Sequence, residues 1–327
     1  LIENNLTVEK IFKDNRKKLR LSRINDGIGQ ERLVKSEKMN RPGLELSGFW
    51  DYFDKTRIQL FGMKEKKYLD TLTEEGRIPI FKKMFSSEIP AAIFTHGTKP
   101  FPEAISFANT QNISLMSTPL TTSHIISQMM DYLDWHLAPS TVLHGSLVDV
   151  YGVGILLTGR SGIGKSEIAL DLVERGQRLV ADDLVKIIRR SDNVIIGTGM
   201  ENHEHLLEIR GLGIVDVKNI FGIRAIRQQK RVEVLVELLD WDEKSAYERV
   251  GTTQKSTKIL GVAAPHIRLP IYPGKNITVI AEVIALNHIL NYMGKNAAKD
   301  FQKKLLATIR KKTLQNNLES YLKKDYE

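Results

Sequence analysis

Eight consecutive residues, Gly159-Arg160-Ser161-Gly162-Ile163-Gly164-Lys165-Ser166, carry the densest chemical information in the chain. They satisfy the pattern G-x-x-x-x-G-K-[ST] at every fixed position. Glycines at that spacing let the backbone wrap a polyphosphate with several N–H groups turned inward. A helix that starts on the lysine adds its positive end. Lys165 would supply a point charge for β- and γ-phosphates. The Ser166 hydroxyl is the kind of oxygen ligand that Mg²⁺ takes.

Such a loop needs a carboxylate at the end of a neighbouring strand, for the metal or for the nucleophile. Arg178-Leu179-Val180-Ala181-Asp182-Asp183 offers two. In a parallel sheet the tip of that strand lies at the same edge as the glycine loop. Successive residues of a strand face opposite sides, so only one of the two can face the phosphates squarely. In His205-Leu206-Leu207-Glu208-Ile209-Arg210-Gly211-Leu212-Gly213-Ile214, Glu208 and Arg210 lie two apart and share a face if the segment is extended. A carboxylate there could complete a metal shell, and a guanidinium could offset charge on a transferring phosphoryl group. His144, Arg249 and the turn from Pro270 to Asn276 are further polar candidates. Taken singly, each reads as structural.

The elements that must position these groups follow from hydrophobic pattern and turn residues. Ile155-Leu156-Leu157 reads as a buried strand entering the glycine loop. A helix over Ser166 to Arg175 and a strand over Arg178 to Ala181 complete a βαβ unit. Thr141 to His144, Leu147 to Val150, Asn193 to Ile196, Val232 to Leu239 and Ile277 to Ala281 are expected strands. Helices are expected over Glu282 to Met293 and from Ala297 onward. In the first part of the chain, a helix over Leu6 to Leu21 is expected, with strands at Arg57 to Phe61, Ala91 to Thr95 and Ile113 to Met116. Thr121 to Leu137 has helical spacing through Ile125, Met129 and Leu133. This part shows no catalytic motif, metal cluster or repeat. The expectation is an α/β protein in three pieces: an α/β domain over 1–137, a P-loop domain over 138–300 and a basic helical tail over 301–327.

Composition narrows the class. The 327 residues are 42% hydrophobic and 27% charged, enough apolar material for a sizeable core. With no cysteine, disulfides, thiolate nucleophiles and sulfur-ligated zinc are excluded. No apolar run approaches the ~20 residues of a membrane span, and the amino end lacks a signal-like apolar stretch, so a cytoplasmic address is expected. The formal charge of +9 is partly local, because residues 295–327 hold nine bases and four acids. Those bases alternate with leucines and acids as on the solvated face of an amphipathic helix, which favours neither nucleic acid nor a membrane as partner.

Taken together, these segments resemble the HPr kinase/phosphorylase family. The likeness is carried in the amino half by Asn40-Arg41-Pro42-Gly43-Leu44-Glu45-Leu46-Ser47-Gly48 and Asp54-Lys55-Thr56-Arg57-Ile58-Gln59-Leu60. In the carboxyl half it rests on Val142-Leu143-His144-Gly145, the phosphate loop, Val180-Ala181-Asp182-Asp183 and the 205–214 string. The resemblance implies a phosphoenolpyruvate-carboxykinase-like P-loop kinase domain ending in helices. It implies transfer of phosphate from ATP (or pyrophosphate) to a serine of the phosphocarrier HPr. The reverse is phosphorolysis, in which inorganic phosphate takes the phosphoryl group and pyrophosphate leaves. By the same resemblance His144, Lys165, Asp183 and Arg249 are catalytic, with Asp183 moving the seryl proton, and Ser166 and Glu208 hold Mg²⁺. Residues 207–216 would shape the site for both directions, and the 270–275 loop would serve dephosphorylation. A homohexamer, a response to fructose 1,6-bisphosphate and a role in carbon catabolite repression and sugar uptake are also implied. Tyr272 and Lys275 stand where the family pattern carries Arg, and Lys lacks the planar fork of Arg for a bidentate phosphate contact. A small-molecule kinase with the same site and a nucleotide sensor gripping nucleic acid are the alternative functions.

Overall fold

A computed structural model of the chain describes residues 5–190, 193–200, 205–241, 255–272 and 274–296. Arg249 and the helix expected from Ala297 onward lie outside the described residues. Two compact units divide the chain, the first ending at Pro139 and the second starting at Ser140.

Threonine caps start three helices of the first unit. The hydroxyls of Thr7, Thr73 and Thr121 accept from the N–H groups of Lys10, Gly76 and His124, each cap contributing about 1 kcal/mol. The helices are α1 (Val8–Asn15), α2 (Gly43–Leu46), α3 (Met63–Asp70), α4 (Glu74–Ser86), α5 (Pro102–Thr110) and α6 (Thr122–Leu137). The strands are β1 (Ser22–Arg23), β2 (Met39–Asn40), β3 (Ile58–Phe61), β4 (Ala91–Phe94) and β5 (Ser114–Ser117), in the spatial order β1-β5-β4-β3-β2. β2 to β5 run parallel and β1 is an antiparallel edge. Every residue of β3 and β4 is buried, as expected of parallel strands covered on both faces. Ile58 and Leu60 pack with Ile125, Met129 and Leu133 of α6. Phe61 and Phe94 pack on the other side with Phe81 and Phe85 of α4. The helix expected over Leu6 to Leu21 is shorter, ending at Asn15.

The second unit comprises β6 (Ser140–His144), β7 (Ser146–Val150), β8 (Val153–Thr158), α7 (Lys165–Glu174), β9 (Arg178–Ala181), β10 (Leu184–Arg189) and β11 (Ile195–Thr198). There follow β12 (Leu206–Ile209), β13 (Gly213–Asp216), α8 (Val217–Phe221), β14 (Gln229–Arg231), β15 (Val234–Asp240), β16 (Ser256–Ile259), β17 (Val262–Ile271) and α9 (Ile277–Tyr292). A six-stranded sheet has the order β16-β17-β15-β8-β7-β9, and a four-stranded sheet has the order β14-β11-β10-β6. β8, β15 and β17 are parallel, whereas β7 is antiparallel to both β8 and β9. Thus β8 and β9, joined through α7, point the same way but are separated by a third strand.

Ile155, Leu157, Val234 and Val236 meet Ala169 and Leu172 of α7 and Ala281, Ile284 and Ala285 of α9 on one face. Leu147, Leu156 and Leu235 meet Val185, Ile187 and Ile195 of the smaller sheet on the other. Each large aliphatic chain buried in these layers stabilises the unit by roughly 1.5–3 kcal/mol. One expected strand is corrected. Ile277 to Ala281 opens α9, because the Asn276 side chain caps the N–H of Val279 and Ile277, Ala281, Ile284 and Ala285 form one buried stripe. Spacing of 3.6 thus overrides the β preference of branched residues. Among the described residues no helix is long and apolar enough to cross a membrane.

Candidate active site

Two strand pairs leave one sheet of the second unit for the other at the same place. β6 passes into β7 through Gly145, and β9 passes into β10 through Asp182 and Asp183. The Gly145 N–H donates to the Asp183 carbonyl at 3.0 Å, and Leu184 pairs with His144 across the ladder. This corner lies directly on β8: a Cβ on Gly145 would sit 2.4 Å from the Leu157 carbonyl oxygen. Asp183 takes the turn with φ 63°, a left-handed conformation that short polar side chains tolerate better than most.

The corner sorts the two adjacent acids. Asp182 points inward and is 7% exposed. Its Oδ2 accepts from the Ser166 hydroxyl at 2.7 Å and its Oδ1 from the Ser146 hydroxyl. Burial raises its pKa above the ordinary carboxylate value, against the hydrogen bonds from Ser146 and Ser166. Asp183 points outward, with Oδ1 3.4 Å from His144 Nδ1, and both side chains are open to solvent. One acid is therefore tied to the phosphate loop and the other is free to meet an incoming group.

β8 ends at Thr158 and the glycine loop begins at once. Gly159, Gly162 and Gly164 have φ of 140°, 74° and 102°, values costly for any residue with a Cβ. Lys165 and Ser166 form the first turn of α7. The Lys165 ammonium donates to the carbonyls of Gly159 (3.2 Å) and Arg160 (3.0 Å), folded across the loop's mouth. Arg160 makes a two-pronged ion pair with Asp240 at the end of β15, at 2.6 and 2.7 Å. That pair lowers the Asp240 pKa.

The hairpin β12–β13 brings Arg210 over the loop. A Cβ on Gly162 would lie 2.7 Å from the Arg210 guanidinium. Glu208 is exposed on β12, opposite Ile214. His205, which opens that string, is buried with Nε2 3.2 Å from the Arg227 carbonyl, a structural position. Farther along, Lys275 donates to the Pro270 carbonyl at 3.1 Å and lies over the Tyr272 ring.

The structure thus assembles His144, residues 159–166, Asp182, Asp183 and Arg210 at one edge. Among the described residues no group of three or more acids or histidines is poised as a ready metal cage. The Ser166 hydroxyl and the Asp182 carboxylate are hard oxygen donors at the loop, of the type that suits Mg²⁺ completed by phosphate oxygens and water. Sequence reasoning left Asp182 and Ser146 unassigned. The signal for Asp182 was present in its alternation with Asp183, whereas Ser146 reaches the site only through the change of sheet at Gly145.

Two family models match the chain, one described as HPr Serine kinase N terminus over residues 6–133 and one as HPr Serine kinase C-terminal domain over residues 135–305. The chain is similar to the HPr kinase/phosphorylase of Prosthecochloris aestuarii, 45% identical over 100% of this chain and 98% of that protein. The corresponding protein of Chloroherpeton thalassium is 46% identical over 93% and 89%, and that of Leptospira biflexa 42% over 95% and 97%. A solved structure, the Hpr(Ser) kinase/phosphatase from Coxiella burnetii, is 31% identical, covering 49% of this chain and 98% of that one with a TM-score of 0.44.

Proposed function

The chain belongs to the HPr serine kinase family, and on that premise we propose how its second unit phosphorylates a serine of HPr and removes the phosphate again at a single site. The observation that carries the reading is the division of the two acids, Asp182 inward on Ser166 and Asp183 outward beside His144.

In the forward direction the glycine loop and the α7 terminus hold the phosphates of ATP, while Lys165 leaves its loop carbonyls for the β- and γ-oxygens. Asp183 accepts the seryl proton as the seryl oxygen–phosphorus bond forms and ADP leaves. His144 orients Asp183 and the incoming hydroxyl. Arg210, already over the loop, offsets the charge spread over the equatorial oxygens. Ser166 and Asp182 would hold Mg²⁺, and by the family resemblance Glu208, exposed on β12, would be a further ligand. The metal supplies charge neutralisation for the phosphates and orients them. By the family resemblance Arg249, which lies outside the described residues, is also catalytic.

In phosphorolysis, a separate reaction at the same site, inorganic phosphate occupies the loop and takes the phosphoryl group. Asp183 returns a proton to the seryl oxygen, and pyrophosphate leaves. Phosphorolysis is the reverse of transfer from pyrophosphate rather than from ATP; both arms use one acid in this reading because the seryl oxygen that gains or loses the proton is the same. Lys275, in place of the family's Arg, makes the phosphorolytic arm the more sensitive one. The same reading expects a cytoplasmic homohexamer responsive to fructose 1,6-bisphosphate, checked by light scattering and effector titration.

The test is incubation of purified HPr with the protein, ATP and Mg²⁺, followed by mass spectrometry for phosphoserine. Phosphate is then added in place of ATP, with pyrophosphate as the readout. Turnover of a metabolite with HPr untouched would instead identify a small-molecule kinase.

A further inference from the structure

On the far side of the phosphate loop from Asp183, two aromatic rings stand together at the same strand edge. Trp241 follows Asp240, the residue that binds Arg160 of the loop, and Tyr272 follows Ile271, which pairs with Asp240 across β15 and β17. Their ring centroids are 4.9 Å apart at 59°, and the two residues are 47% and 40% exposed. The Lys275 ammonium lies over the Tyr272 ring, 5.0 Å from its centroid. Rings exposed to this degree beside a polyphosphate cradle offer a flat apolar face on which a ligand can stack.

Sheet order says which partner reaches it. β15 and β17 lie on one side of β8, and β7 and β9 lie on the other. The acceptor side, with Asp183 and His144, belongs to β9 and its corner. Phosphoryl transfer places the attacking and leaving oxygens roughly in line across the phosphorus. An acceptor arriving from the β9 side therefore sends the leaving nucleoside diphosphate toward β15 and β17. The bidentate Arg160–Asp240 pair fixes the start of the loop to that edge, one residue from Trp241.

We propose that Trp241 and Tyr272 form the platform on which the nucleobase of the phosphoryl donor stacks. This rests on the reading of the phosphate loop and of Asp183 given above. The stacking acts on the base, so tripolyphosphate, which has none, gains nothing from the Trp241 ring. Tyr272, which departs from the family pattern, thereby gains a part in holding nucleotide.

Calorimetric titration of the full chain with Mg²⁺ and either ATP or inorganic tripolyphosphate separates the two terms. Trp241→Ala is expected to weaken ATP about tenfold, the loss expected for one base–aromatic stack, and to leave tripolyphosphate within twofold. Trp241→Phe restores most of the ATP affinity, and Tyr272→Ala shifts ATP in the same direction as Trp241→Ala. Unchanged ATP affinity in Trp241→Ala overturns the proposal. So does an equal loss for ATP and tripolyphosphate, which would make the ring a prop for the loop. Failure of the unaltered protein to bind either ligand refutes the phosphate-loop reading itself and removes the platform with it.

Discussion

Gly145→Ala tests whether the corner between the two sheets sets the reacting geometry. The added Cβ would lie 2.4 Å from the Leu157 carbonyl oxygen, whereas ordinary contact begins at 3.4 Å. The corner must therefore move by about 1.0 Å, the difference between those two distances, away from a backbone atom of β8 that is held in the sheet. Overpacking of this kind costs roughly 1–3 kcal/mol. At 2–4 °C per kcal/mol for a unit of this size, the melting temperature drops by about 2–12 °C. His144 and Ser146 flank Gly145, so the same displacement misplaces the pair that faces Asp183 and Asp182. A 1 Å error in a reacting constellation costs on the order of 10²-fold in rate. Gly152→Ala is the control. It has φ +85° with nothing within 4 Å of the new Cβ, so it carries backbone strain without a shift at the corner. Both variants should melt lower in scanning calorimetry, and only Gly145→Ala should lose HPr phosphorylation at 25 °C, where both remain folded. A folded Gly145→Ala protein working within threefold of the unaltered rate would refute the reasoning, as would an equal loss in Gly152→Ala.

Two further substitutions probe the loop and its buried acid. Asp182→Asn keeps the shape, with one serine contact reversed so that the amide N–H donates to the hydroxyl, and removes a charge that burial disfavours. Because the folded pKa is raised, the native state binds more protons than the unfolded chain between the ordinary carboxylate value and the raised one, and stability falls as pH rises through that window. Without Mg²⁺ the variant should therefore melt above the unaltered protein at pH 7, by more than at pH 4, while its Mg²⁺-dependent kinase rate drops at least tenfold; a lower melting temperature at pH 7 would contradict the burial argument. Gly162→Ala must displace the Arg210 guanidinium from 2.7 Å and hold φ at +74°. Titration should show weaker ATP and tripolyphosphate binding alike, and unchanged affinity for both would mean that Arg210 does not cover the loop.

The phosphate loop was legible in sequence because its chemistry is local: eight adjacent residues define it, and the flanking strand and helix follow from the apolar run before it and the periodicity after it. The acids were legible as a pair of which only one can face the phosphates, but the pattern does not say which, since that depends on two distant segments changing sheets at one corner. For the same reason the intrusion of β7 between β8 and β9 is a property of long-range pairing that no window of sequence contains. Ile277 to Ala281 misled because β-branched residues dominate it, and only the Asn276 cap and the buried stripe reveal a helix. α4 carries Pro79 in its interior, which interrupts a helical reading although Thr73 caps it in the usual way. The Arg160–Asp240 pair joins residues eighty positions apart and had no sequence signature.

The central claim is that one outward-facing acid moves the proton in both directions. Asn at position 183 tolerates φ 63° as well as Asp does, and the exposed 3.4 Å contact with His144 contributes at most about 1 kcal/mol, so Asp183→Asn should fold and bind ATP normally. Measured side by side, phosphorylation of HPr and phosphate-dependent release of pyrophosphate from phosphoserine-HPr should both fall by about 10²–10⁴, the usual contribution of a positioned general base. A variant that keeps either rate within tenfold of the unaltered protein, with ATP binding intact, would contradict the account.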